Sequence, residues 1–360
     1  MAEPVCAEWT VPHDLGGVRD RVDAVLEGFL SEKARVSDRE RLPTDLVDAL
    51  HSFVCCGGKR IRPLLCVLGW FAAGGSDRLP MAIVRVAAAL ELQHAAVLIH
   101  RDVIERRLTR RGFPTMSCAM AARFAHKPDR ERFGRQAAVL LGDLALVWSD
   151  ELLFSAHLSA RQRTAASAVM SAMRMEVIYG QYLDVRAAGD PVADLERALE
   201  IVRYKTVGYT CERPLQLGAR LAGADENTQA ALSVYARALG EAVHLTEDLH
   251  RVFGDRAGTD SRLEDLRDGR HTALVASALG RAVGATAVEL RALLGNPGLD
   301  ARGATLCRDI MTEVGAREEV EQMIALRREH ALYAVDDMHV PAPARQVLRA
   351  LAEHLTNIDG

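Results

Sequence analysis

The sequence predicts an all-α protein. Three observations carry this. Helical periodicity runs through nearly the whole chain, strict two-residue alternation never lasts, and short Gly/Pro-rich breakers fall between the periodic stretches. The 360 residues contain no Pro/Gly/Ser-rich linker, no repeat of fixed period and no low-complexity tract. The expectation is a loose N-terminal arm over residues 1–17 and one helical domain over 18–360.

The helices are expected, in order, at 18–35, 43–56, 62–73, 79–106, 131–157, 161–187, 195–221, 225–252, 271–281, 284–294, 303–332 and 342–356. Breakers separate them: "CCGGK", "AAGGSDRLP", "RRGFP", "AGDP", "AGADE", "LGNPG" and "VPAP". The stretch "MAIVRVAAALELQHAAVLI" is apolar over most of its circumference, which places it centrally in a bundle. A polar side chain inside it needs a reason.

Composition bounds the function. The net charge of −4 offers no electrostatic footprint for nucleic acid or for an anionic membrane. None of the seven cysteines sits in a CxxC or CxxH spacing, and Cys55-Cys56 is a vicinal pair. That pattern fits a reducing cytoplasm. The opening "MAEPVCAEWT" does not read as a signal peptide, and no apolar run is expected to reach the ~20 residues of a membrane span. Only four lysines occur, Lys33, Lys59, Lys127 and Lys205, so a lysine within a motif carries weight.

Two polar stripes stand out. At ~100° per residue, Arg101 lies at about −20°, Glu105 at about 20° and Asp102 at about 80° from His94. His94, Arg101 and Glu105 thus form a line, with Asp102 beside it. Two carboxylates at this spacing suit a hard divalent cation such as Mg²⁺. The same spacing suits a helix emerging into water. The second stripe is His244, Glu247, Asp248 and Arg251, and it too fits an ordinary amphipathic helix. Basic clusters accompany them: "GGKRIRP" with Lys59, Arg60 and Arg62, "TRRG" with Arg110 and Arg111, and "RYKT" with Lys205 and Thr206. Cations after a Gly-Gly turn suit a phosphate, although the spacing is not that of a P-loop.

Over roughly residues 45–290 the chain resembles the polyprenyl synthetase family, the trans-isoprenyl diphosphate synthases. "GGKRIRP" matches that family's first basic motif. "ELQHAAVLIHRDVIERRLTRRGFPT" matches the first aspartate-rich region and "GEAVHLTEDLHRVFGD" the second. "LLGDLAL", "GQYLD", "YKTVGYTCERPLQLGARLAG" and "DLRDGRHT" fall in family order. The resemblance implies the isoprenoid synthase fold, a helical bundle around a deep central cavity, usually in a homodimer. It also implies Mg²⁺ held by two acidic motifs, an allylic diphosphate that ionises, and isopentenyl diphosphate that attacks the cation.

Carried over residue by residue, Lys59, Arg62, His94 and Arg111 resemble the isopentenyl diphosphate pocket. Arg110, Lys205, Thr206 and His244 resemble contacts to the allylic diphosphate. Asp102, Glu105, Glu247 and Asp248 resemble the metal ligands. Ala96 and Val97 occupy the chain-length positions, where their small side chains imply a product of C20 or longer. The departures gather at the metal ligands. Arg101 stands for the first aspartate of motif one, Glu105 for its last, and Glu247 for the first of motif two. The family's later Gly-Lys is missing, leaving Arg262, while Gly269-Arg270 keeps a cation further on.

Arg101 either pairs with Glu105 and empties a metal site, or its guanidinium grips phosphate in place of an ion and joins Lys205 in catalysis. Fewer than three ions are then expected. Three readings follow: a prenyltransferase, a weak or silent regulatory subunit paired with an active homologue, or a terpene cyclase-like enzyme ionising an allylic diphosphate alone. The last is disfavoured because the isopentenyl pocket residues survive and the acidic motifs do not.

Overall fold

The computed structural model describes residues 13–76, 78–110, 112–189, 192–254 and 265–356, with side chains from Gly17 onward. Arg111 and Arg262, named above, lie outside the described residues. The described chain forms two compact units. One holds the residues up to Phe71 and Gly75–Ala166; the other holds Ala72–Gly74 and the chain from Ser167 onward.

The first unit contains α1 (His13–Arg39), α2 (Thr44–Cys55), most of α3 (Ile61–Ala72), α4 (Met81–Ile104), α5 (Met116–Arg123) and α6 (Arg130–Phe154). α1 buries Val18, Val22, Leu26 and Leu30, one residue per turn, against the rest. α4 is buried nearly all round, as its apolar sequence requires. It is long and apolar enough to cross a membrane, contrary to the expectation that no run reaches that length. However, 72% of its most apolar window is buried inside the fold, as in the core helix of a globular domain. α6 begins at Asp129, whose carboxylate accepts the Arg132 amide and caps the helix. Phe29 of α1 meets the Trp148 ring of α6 edge to face at 6.3 Å.

Between α4 and α6, a hairpin and one helix were not foreseen. α4 stops at Ile104, not 106, because Arg106 takes a left-handed φ of 52°. A two-strand hairpin follows, β1 (Thr109–Arg110) with β2 (Phe113–Pro114), in antiparallel register Arg110↔Phe113. Gly112, at φ 81°, permits that turn. α5 then occupies residues that lack enough periodicity to be read as a helix.

The second unit contains the rest of α7 (Ala160–Ala187), then α8 (Leu195–Val202), a π-helix (Arg203–Glu212), α9 (Arg213–Ala222) and α10 (Glu226–Phe253). After the undescribed 255–264 come α11 (Ala273–Arg281), α12 (Gly284–Leu293), α13 (Ala301–Glu313), α14 (Ala316–Asp337) and α15 (Ala342–Leu355). Asp194, Asp225, Thr272 and Asp300 cap α8, α10, α11 and α13 through side-chain bonds to the first-turn amides. The single helix expected at 195–221 contains the ten-residue π-helix, and the one expected at 303–332 breaks at Gly315, whose φ is 74°. Apolar faces of α10, α11, α12, α13 and α14 share one core that includes Leu245, Leu249, Leu274, Leu290, Ile310 and Ile324.

Candidate active site

In the first unit, the acids of motif one sit at the exit of α4. Asp102 is buried, 2% exposed. The hairpin folds Arg110 back onto it. Arg110 Nε donates to both carboxylate oxygens of Asp102, at 3.0 and 2.8 Å, and Nη2 donates to one of them as well. Glu105, the residue that ends α4, accepts from Arg107 Nε at 2.8 Å. A metal ligand and a diphosphate contact expected by resemblance are therefore turned toward each other. Arg101 and His94 are half-buried on α4, Ala96 is buried and Val97 half-buried.

The basic motif divides. Lys59 is exposed and Arg62 is buried. Arg60 is not a surface cation. It is 7% exposed, and its guanidinium donates to Asp23 at 2.8 Å, to Glu91 at 2.9 Å and to the Val54 carbonyl at 2.8 Å. Burial opposes its charge, but Glu91 and Asp23 outweigh that and raise its pKa above the ordinary value. In "LLGDLAL", a Cβ on Gly142 would fall 2.2 Å from His100 Nε2, so a larger residue there would have to displace that ring.

In the second unit, α7 carries "GQYLD" against the π-helix. A Cβ on Gly180 would lie 2.3 Å from the Lys205 backbone nitrogen, so glycine permits this approach. One turn on, Asp184 accepts from Lys205 Nζ at 2.5 Å. Glu176 anchors the other side by accepting from Arg213 Nε at 2.9 Å. Thr206 is half-buried beside Lys205. Long π-helices are rare and concentrate at functional sites.

Motif two lies on α10. Asp248 is 4% exposed, and neither of its carboxylate oxygens accepts a hydrogen bond among the described residues. His244 Nε2 lies 3.4 Å from it and Arg251 Nη1 3.6 Å. Glu247 is exposed, with Arg251 at 3.5 Å. Arg251 also approaches Asp265 at 3.7 Å, and Arg270 Nε approaches Asp265 at 3.1 Å and Asp268 at 3.7 Å. Burial opposes the charge of Arg251, but Asp248, Asp265 and Glu247 hold its pKa above the ordinary value.

The two motifs fit a cation differently. At motif two, Asp248 is a buried carboxylate whose oxygens accept no hydrogen bond among the described residues, and a single guanidinium, Arg251, lies 3.6 Å from it and 3.5 Å from exposed Glu247, so carboxylate oxygens of the kind Mg²⁺ takes are less tightly held there. Asp102 and Glu105 are already met by guanidinium groups, so they fit a cation only if those arginines leave.

Sequence reasoning did not anticipate Arg107 as the partner of Glu105, Asp184 as the partner of Lys205, or the Asp265–Arg270 pair. Arg107 and Arg110 contact α4 through a turn and a hairpin, where helical spacing gives no signal. Asp184 stood inside a quoted motif, but its partner is 21 positions away.

Comparison with known proteins decides the family. The polyprenyl synthetase profile matches residues 43–308. This chain belongs to the polyprenyl synthetase family. Among solved members, geranylgeranyl pyrophosphate synthase from Corynebacterium glutamicum, crystallised with isoprenyl diphosphate and magnesium, superposes with a TM-score of 0.86 at 35% identity. The match covers 94% of this chain and 99% of that one. Nonaprenyl diphosphate synthase from Mycobacterium tuberculosis is 27% identical over 349 residues, covering 94% of each chain. Octaprenyl diphosphate synthase from Escherichia coli is 29% identical over 327 residues, covering 87% of this chain and 91% of that one. The all-α isoprenoid synthase fold is thus established, and the family uses allylic diphosphates, isopentenyl diphosphate and Mg²⁺.

Proposed function

We propose that this polyprenyl synthetase is a trans-isoprenyl diphosphate synthase joining an allylic diphosphate to isopentenyl diphosphate, with a product of C20 or longer. The observation that carries the reading is Asp248. It is a buried acid, poised without hydrogen-bond donors, in the family position of a metal ligand. Mg²⁺, when bound, would neutralise charge developing on the leaving diphosphate. Glu247 and Asp248 would hold it. Lys205, Thr206 and His244 would orient the allylic diphosphate, with Arg101 and Arg110 adding guanidinium contacts in place of an ion. Lys59, Arg62, His94 and Arg111 would bind isopentenyl diphosphate. Fewer than three ions are then required. The small side chains of Ala96 and Val97, at the family's chain-length positions, support a long product.

The working form is a homodimer in the cytoplasm. α7 exposes Met175, Ile178, Tyr179, Tyr182 and Val185 along one stripe, which monomeric proteins rarely leave in water. α6 exposes Leu140, Val147 and Phe154 at seven-residue steps. Cytoplasmic residence is supported by the six described cysteines, none of which forms a disulfide.

A second reading, a weak or regulatory subunit bound to an active homologue, is favoured by the pairing of both motif-one acids with arginines. One experiment separates the two. Purified protein and Mg²⁺ are incubated with geranylgeranyl diphosphate, with and without isopentenyl diphosphate. A longer diphosphate supports the synthase. No product alone, but altered output on mixing with an active homologue, supports the subunit. A hydrocarbon or alcohol from the allylic substrate alone would refute both.

A further inference from the structure

The first unit holds a second cluster of donor atoms that none of the family motifs includes. His51 and Cys55 stand one turn apart on α2, so their side chains leave the same face. Glu27 of α1 faces them, and its Oε1 lies 2.9 Å from His51 Nε2. One imidazole nitrogen, one thiol sulfur and one carboxylate oxygen all lie within 4.8 Å of one another. Ligand atoms around a tetrahedral zinc ion stand ~3.5 Å apart, given bonds of ~2.0–2.3 Å. Side-chain rotation of about an ångström closes the difference.

We propose that Glu27, His51 and Cys55 bind a borderline-soft divalent cation, Zn²⁺ in the first instance, as a clip between α1 and α2. The donor set selects the ion. A sulfur and an imidazole suit Zn²⁺ or Co²⁺, whereas Mg²⁺ asks for oxygens alone. Charge also closes. Binding breaks the Cys55 S–H bond, forms a sulfur–metal bond and releases the proton to solvent. The thiolate and the Glu27 carboxylate then balance the two positive charges, with His51 neutral. Without a cation, burial and the neighbouring Glu27 push the Cys55 thiol up to about 12, and an ion placed between them removes the second of these causes.

The surroundings permit the ion. The nearby guanidinium of Arg60 is held by Asp23 and Glu91, so its charge is already offset. Ser31 Oγ contacts Glu27 Oε1 at 3.4 Å. Glu27 is exposed and the other two are half-buried, which leaves a side open for entry and for water as a fourth ligand. The adjacent Cys56 turns its thiol to the Phe53 carbonyl at 3.1 Å, away from the cluster. Cys55 and Cys56, neighbours in sequence, therefore give opposite expectations.

The test uses full-length protein, reduced and freed of metal by chelation, titrated with Co²⁺ alone and then Zn²⁺. The expected result is one equivalent of Co²⁺ with a thiolate-to-cobalt charge-transfer band and four-coordinate visible bands. Zn²⁺ abolishes them and excess Mg²⁺ leaves them intact. Cys55→Ser loses the charge-transfer band, Cys56→Ser keeps it, and His51→Gln or the surface change Glu27→Gln weakens affinity by about a hundredfold. Circular dichroism confirms that each variant is folded. Glu27→Gln, at an exposed position, serves if a helix α2 variant is not. Absence of the band, its survival in Cys55→Ser, its loss in Cys56→Ser or its displacement by Mg²⁺ would each overturn the assignment.

Discussion

Replacing Arg110 by Met removes the clamp on Asp102 while keeping an unbranched side chain on the hairpin. In the structure, Asp102 is 2% exposed and both of its oxygens accept from Arg110. Deleting one partner of a buried pair leaves an uncompensated charge and costs about 3–5 kcal/mol. The Arg110 side chain is 16% exposed, so water reaches its end of the pair, and the lower end of that range, about 3 kcal/mol, is expected. Urea unfolding of wild type and Arg110→Met measures this loss. Adding Asp102→Asn to Arg110→Met removes the stranded charge and recovers about 1–3 kcal/mol, the coupling typical of a contacting pair. Mg²⁺ provides a second arm. With the guanidinium gone, the Asp102 carboxylate becomes available to a cation, and Mg²⁺ at a hundred times its dissociation constant restores about 2.7 kcal/mol. A loss below about 1 kcal/mol, or no recovery on adding Asp102→Asn, would refute the description of Asp102 as a buried acid held by one arginine.

Other outcomes follow from the same geometry. Arg101→Asp should lower prenyl-chain elongation by about tenfold to a hundredfold, the worth of a charged hydrogen bond to phosphate, with a rise in KM for the allylic substrate; a gain in rate would show that Arg101 only empties a metal site. Gly180→Ala should destabilise the protein by about 1–3 kcal/mol and lower activity, because its Cβ would meet the Lys205 backbone at 2.3 Å; thermal melts and steady-state rates check this. Ile178→Asp combined with Tyr182→Asp should convert a dimer to monomers in analytical ultracentrifugation, since both side chains lie on the exposed α7 stripe. Burial lowers the pKa of His271 below its ordinary 6.5, against the raising effect of its bond to the Asp194 carbonyl. The unfolded chain then takes up the proton first, so this contribution is complete above pH 6.5 and is lost as pH falls through the lower folded value; His271→Gln should flatten the melting temperature over that acid range.

Much of the fold was legible because it is local. Val18, Val22, Leu26 and Leu30 announce α1 by their period, and the unbroken apolar run of α4 announces a core helix. What escaped depended on single backbone angles and distant partners. Arg106 at φ 52° and Gly112 at φ 81° build the hairpin, and no periodicity signals a residue forced into left-handed space. The break at Gly315 was hidden because apolar spacing continues across it. The π-helix was hidden because residue periodicity does not mark it; it lies where Gly180 closely approaches Lys205, a tertiary contact. At the site, spacing placed Asp102, Glu247 and Asp248 on helices, while Glu105 falls just past the end of α4. It could not tell which were buried. Asp248 and Glu247 are neighbours in sequence, yet one is 4% exposed and the other is exposed to solvent.

That difference in surroundings gives each motif its own electrostatic preference. At motif one, the described residues bring two guanidinium groups, on Arg107 and Arg110, to two carboxylates, on Glu105 and Asp102, with a third arginine, Arg101, beside them on α4. At motif two, four carboxylates, on Glu247, Asp248, Asp265 and Asp268, surround two guanidinium groups, on Arg251 and Arg270. A surplus of positive charge favours an anion, and a surplus of negative charge favours a cation. A few ångströms of separation makes each preference worth several kcal/mol at intermediate dielectric. Substituting Arg for an acid in a metal-binding stripe therefore does more than remove a ligand. On the proposed function, it turns a stripe suited to Mg²⁺ into one suited to a diphosphate. On the proposed function, binding is shared: guanidinium groups serve the diphosphate at one motif, and oxygen ligands serve the metal at the other.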